Sequence, residues 1–100
     1  MSKLIFTKKA VEDLTQIWNY SVNTWSENQA DLCYNLLIAS CREIANHPGL
    51  GKSYSGLIES LSGYKAGRHI IFYQRTAASE VTIIRILHEQ MDIRNRLKEK

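Results

Sequence analysis

Four basic side chains, Lys65, Arg68, Arg75 and Arg85, lie where the sequence alternates like a sheet, with Tyr64 and Tyr73 set among them. Basic and phenolic groups gathered on one surface can bind RNA or stabilise charge on a scissile phosphate. Spacing alone does not gather them, because strand parity groups Arg75 with Ile71 and Tyr73 but Arg85 with Ile83 and Leu87. His47, His69 and His88 are far apart in sequence and are not read as a metal set. His88-Glu89 could serve acid–base chemistry, but at a strand end it reads as a hydrogen-bonded structural group. G-x-S-x-G, H-E-x-x-H, G-x-x-x-x-G-K-[ST] and G-x-G-x-x-G are all missing from the sequence. No catalytic residue is assigned, and no cofactor or metal is implied.

Cys33 and Cys41 stand eight residues apart in one predicted helix, about 12 Å along its axis. That is too far to bridge. They read as small buried hydrophobes in a reducing compartment. With 100 residues, 44% apolar, 23% charged and a net charge of +3, the chain is expected to form one compact domain spanning residues 1–100. Disorder is not expected at that composition. The longest apolar runs, Leu36-Leu37-Ile38-Ala39 and Ile70-Ile71-Phe72-Tyr73, fall far short of the roughly twenty residues of a spanning helix, and the first ten residues do not read as a signal peptide. Charge is uneven. Residues 1–50 carry four basic and five acidic side chains, residues 51–100 nine basic and five acidic. A basic C-terminal half suits an acidic or nucleic-acid partner, and equally a solvated tail.

These groups must be held by definite elements. Lys3 to Phe6 reads as a short strand, and Thr7 offers an N-cap. Val11, Leu14, Trp18, Val22 and Trp25, widened by Ile17, recur at helical steps and predict an amphipathic helix over residues 8–24. Ser26-Glu27-Asn28-Gln29 is a capping box that opens a second helix. Its face is Ala30, Cys33, Leu37, Cys41 and Ile44, with Leu36 and Ile38 alongside, and it stops near Asn46 because Pro48 follows. The loop Gly51 to Gly56 leads to strands at Tyr64–Ala66, His69–Arg75 and Val81–Leu87, whose spacings suit an antiparallel meander. The order β-α-α-β-β-β predicts an α+β fold, a helical hairpin on one face of an antiparallel sheet.

Both faces of that sheet are apolar. Ile70 and Phe72 oppose Ile71 and Tyr73 in the central strand, and Val81, Ile83 and Leu87 oppose Ile84 and Ile86 in the last. One hairpin covers one face, so the other needs the C-terminal segment or another chain.

The sequence resembles the ParE branch of the RelE/ParE toxins of type II toxin–antitoxin systems. The resemblance spans nearly the whole chain: Ala10-Val11-Glu12-Asp13-Leu14 with Ile17 and Tyr20, Trp25, Gln29-Ala30, and Asn46 to Gly51. Its most specific pieces are Gly67-Arg68-His69-Ile70-Ile71-Phe72-Tyr73 and Ile84-Arg85-Ile86-Leu87-His88-Glu89-Gln90-Met91-Asp92. It implies a RelE/ParE-like fold and a small cytoplasmic toxin that inhibits DNA gyrase. It also implies a hetero-oligomer with a ParD-like antitoxin whose flexible tail wraps the hairpin and the sheet.

The RelE branch shares the fold but cuts messenger RNA on the ribosome with basic residues and a tyrosine. This chain has Ile70, Glu89 and Ile93 where that branch places an arginine, an arginine and a tyrosine, and such side chains cannot stabilise a phosphorane or accept a 2′-hydroxyl proton. The resemblance therefore implies a non-enzymatic inhibitor. Many ParE relatives carry Gly-Leu-Arg where this chain reads Ser60-Leu61-Ser62. For the antitoxin the expected contacts are Trp18, Trp25, Ile70, Phe72, Ile83 and Arg85. For the target they are Arg94, Arg96, Lys98 and Lys100 of the basic tail, which has only Ile93 and Leu97 to add to a core.

Overall fold

A computed structural model describes residues 3–54, 56, 58–77, 80–90 and 97. Strand β1 (Lys3–Phe6) leads into helix α1 (Lys8–Thr24) and helix α2 (Glu27–Asn46). A single 3₁₀ turn (Pro48–Leu50) then precedes β2 (Lys52–Ser53), β3 (Ser62–Ala66), β4 (His69–Ala77) and β5 (Glu80–His88). The strands form one sheet in the order β1-β5-β4-β3-β2, antiparallel except where β1 runs parallel to β5. The α+β arrangement expected from the sequence is therefore the one observed.

Local chemistry fixes the hairpin. The Thr7 hydroxyl accepts from the Ala10 amide and caps α1, and the Ser26 hydroxyl accepts from the Gln29 amide and caps α2. The amides of Trp25 and Ser26 both donate to the Ser21 carbonyl, so α1 ends and α2 begins within two residues. Between β3 and β4 the link is Gly67-Arg68, with Gly67 at φ +63°, the left-handed conformation that two-residue hairpins require.

The buried stripe of α1 is rotated from the one its apolar spacing predicts. Ala10, Asp13, Leu14 and Ser21 are buried, whereas Val11 is 51% and Trp25 69% exposed. Trp25 lies beyond the last helical turn, where the helical period no longer applies. In α2 the expected Ala30, Leu37, Cys41 and Ile44 are buried, and Leu36 faces outward. These helix faces close on Ile71, Tyr73, Val81, Ile83 and Ile86 to make the main core.

The face assignment in β5 needs correcting. Phe72 is paired with Arg85 but Tyr73 with Ile83, which leaves Ile84 as an extra residue. Such a bulge reverses the alternation beyond it. Val81 and Ile83 therefore join Ile86 on the helix side, whereas Leu87 lies on the opposite side with Phe72. Thr7 holds the bulge: its amide donates to the Ile83 carbonyl and its hydroxyl to the Ile84 carbonyl at 2.8 Å.

The second sheet face is covered from within the chain. Leu61, Phe72, Leu87 and Leu97 form a cluster to which Tyr54, Ile58, Ile70 and Ile84 contribute. Leu97 is only 9% exposed, so one tail residue belongs to this core, contrary to the expectation of a minor role. The Leu97→Ala protein is expected to lose about 2 kcal/mol or more in chemical denaturation, the lower end of buried leucine truncations. A loss within about 0.5 kcal/mol, the scale of a surface change, would remove Leu97 from the core.

Candidate functional site

The mixed basic and aromatic set does not converge. Arg85 donates from Nε to Asp13 Oδ2 at 2.7 Å and from Nη2 to Oδ1 at 3.0 Å, and the Ile86 amide donates to the same Oδ2 at 3.0 Å. Both partners are buried, so the guanidinium is a structural fork holding α1 to β5. Tyr73 is 1% exposed; its hydroxyl donates to the Pro48 carbonyl at 2.7 Å and accepts from the Gly51 amide at 2.9 Å. Burial pushes that phenol above its ordinary pKa, against the opposing hydrogen bonds of Gly51 and Ser62. Tyr64 is half-buried against the main core, whereas Arg68 and Arg75 are exposed.

At the end of the sheet, His69 faces His88 across the ladder with ring centres 5.3 Å apart. Burial, then the neighbouring His88, holds the His69 imidazole below its usual pKa, and Glu89 acts in the other direction. His88 Nδ1 accepts from the Gln90 amide, and Lys65 pairs with Glu89 at 3.0 Å on the surface. That hydrogen bond and charge hold the Glu89 carboxyl low. Cys33 and Cys41 are free thiols, and burial pushes Cys41 up to about 12. It stays protonated at neutral pH and is no nucleophile. Among the described residues no three His, Cys, Asp or Glu side chains cluster as metal ligands.

What the surface does offer is a groove of about 670 Å³ along the hairpin. Phe6 of β1 and Val11, Leu14, Thr15 and Trp18 of α1 line it from one side, and Asp31, Tyr34, Asn35 and Ile38 of α2 from the other. Each helix contributes the i, i+3, i+4, i+7 row of one face. The Trp18 and Tyr34 rings meet edge to face at 6.4 Å. A smaller hollow of about 400 Å³ lies by β2 and β3, among Leu50, Lys52, Tyr54, Gly63, Tyr64, Lys65 and Ile70.

The six residues expected to meet an antitoxin are scattered. Trp18 lines the groove, Ile70 the smaller hollow, and Trp25 stands exposed at the hairpin bend. Phe72 and Ile83 are fully buried, on opposite sides of the sheet because of the bulge, and Arg85 is held by Asp13. Arg94, Arg96, Lys98 and Lys100 lie outside the described residues, as does Ile93. The groove residues of α2 were missed because Leu37, Cys41 and Ile44 dominate its apolar pattern. The signal was present in Asp31, Tyr34, Asn35 and Ile38, a second row on the same helix.

Residues 4–93 match the model of the ParE toxin of the type II toxin–antitoxin system parDE. The chain belongs to the ParE toxin family. It is 35% identical over 91 residues to Toxin ParE1 of Caulobacter vibrioides, which covers 91% of this chain and 93% of that one. To Toxin ParE of Escherichia coli it is 28% identical, over 100% of this chain and 97% of the relative. The fold is also that of a chain from the chromosomal ParDE system of P. aeruginosa, with a TM-score of 0.76 at 17% identity over 88% of this chain and 96% of the other. As a ParE toxin of a type II system, the protein works opposite an antitoxin. Among the described residues no helix is long and apolar enough to cross a membrane. Ser60, where many ParE relatives have glycine, sits at φ +62°, a left-handed conformation that glycine adopts without strain.

Proposed function

We propose that this ParE toxin binds DNA gyrase in the cytoplasm and blocks replication by protein–protein contact, without cutting nucleic acid. A ParD-like antitoxin silences it in a hetero-oligomer by laying an amphipathic helix in the α1–α2 groove. The observation that carries the non-enzymatic reading is the engagement of Arg85 and Tyr73. A guanidinium forked onto Asp13 and a phenol bound to Pro48 and Gly51 are not at hand for phosphate chemistry. Ile70, in the central strand, and Glu89, paired with Lys65, add no free cation. Arg94, Arg96, Lys98 and Lys100 are assigned to the gyrase contact, where a basic tail complements an acidic or DNA-bound surface.

The experiment pairs supercoiling by purified gyrase with a translating extract probed for cut messages. Supercoiling falls as this chain is added, and messages stay intact. Codon-phased cleavage with unaffected supercoiling would place the protein with the ribosome-dependent ribonucleases instead.

A further inference from the structure

The groove is lined mainly by apolar and aromatic side chains, with Thr15 on one wall and Asp31 and Asn35 on the other as its polar residues. Asp31 is the single charged side chain lining it among the described residues; it is exposed and forms no ion pair or hydrogen bond with any of them. Its position, the fifth residue of α2, lies past the first turn, where a carboxylate gains from the helix N-terminus. Neither helix capping nor a local partner accounts for a carboxylate here. The walls are two helical rows, each spanning seven residue steps, or about 10 Å, and such a surface accepts a third helix with its own i, i+3, i+4, i+7 apolar stripe. Docking that helix strips water from Asp31. Without a cation to meet it, the carboxylate opposes binding.

We propose that Asp31 sets the partner specificity of the groove by requiring a lysine or arginine at the edge of the incoming helix's apolar stripe. This rests on the groove being the antitoxin's docking surface and names the charge that surface selects. A helix with glutamate at the facing position is rejected by repulsion and one with an apolar residue by the desolvated carboxylate, so a single side chain both attracts and excludes.

The test uses a displayed library of 20-residue helical peptides, with leucines fixed at i, i+3 and i+7 and randomised flanks, selected against the whole chain. Enriched peptides are expected to carry Lys or Arg at one common flanking position. Changing that residue to Glu should weaken binding about tenfold, and the Asp31→Lys chain should restore it. Asp31→Asn should erase the preference without reversing it. Val11→Asp and Thr15→Arg, both at exposed groove positions, should abolish binding of every selected peptide while circular dichroism shows the fold intact. If no peptide is enriched, or binding survives these two changes, the groove is not the docking surface and the antitoxin reading fails with it. If they abolish binding but Asp31→Lys enriches the same peptides as the native chain, the groove stands and the role of Asp31 is overturned.

Discussion

The Asp13→Ala protein is expected to melt at least about 12 °C below the native chain. Asp13 accepts three hydrogen bonds, two from the Arg85 guanidinium and one from the Ile86 amide, and both charged partners are buried. Removing one member of such a pair leaves the other as an uncompensated buried charge, at a cost of about 3–5 kcal/mol. In a domain of this size each kcal/mol shifts the melt by about 4–8 °C. The cost comes from the stranded guanidinium rather than the lost attraction. The Asp13→Leu/Arg85→Met double variant should therefore recover most of the stability, falling short because the Ile86 N–H loses its acceptor. If Asp13→Ala melts within about 3 °C of the native chain, the fork does not hold α1 to β5. Glu89→Ala, which breaks only the surface pair with Lys65, is the control and should leave the melt nearly unchanged.

A comparable loss, about 3–5 kcal/mol, is expected for Phe72→Ala, on the opposite side of the sheet. Phe72 is fully buried at the centre of the second cluster, and the Tyr54 ring meets it edge to face with centres 5.1 Å apart. That aromatic pair accounts for about 0.5–1.5 kcal/mol beyond the area buried. Chemical denaturation measures the total, and hydrogen exchange at the Tyr54 amide, which donates to the Leu61 carbonyl, shows whether the covering loop has come loose. Because the hairpin groove lies across the sheet, peptide affinity of the folded fraction should not change. A loss below about 1 kcal/mol would mean that this face has no core of its own.

The elements were legible because their signals are local. Thr7, Ser26 and Pro48 mark the helix ends, and the observed bounds of α1 and α2 follow them. Strand β2 was not legible, since two residues in a Gly- and Ser-rich stretch have no period; only pairing to Ser62 and Gly63 makes them a strand. The bulge at Ile84 was hidden for a related reason. An apolar residue at every position from Ile83 to Leu87 except Arg85 fits either parity, and the choice is made by Thr7, 77 residues away. That ambiguity misplaced Ile83 as a surface contact. From sequence Arg85 reads as a basic surface group, because nothing near it reveals Asp13, its partner 72 residues earlier. The groove combines residues of β1, α1 and α2, so its outline exists only in three dimensions.

The pairing of β1 with β5 also has a temporal consequence. A ribosome makes Lys3 to Phe6 well before their sheet partners, Glu80 to Ile83, which lie 77 positions later in the chain. Closing so long a loop carries an entropic cost that local contacts do not offset, so β1 is left without its partner strand while the hairpin helices already exist. Phe6, which lines the groove, is paired to Ile83. On the proposed reading of the groove as the antitoxin's docking site, a nascent chain offers only part of that surface. On that reading neutralisation waits until β5 has emerged, and the antitoxin is expected to meet a toxin that has just folded rather than one still in synthesis.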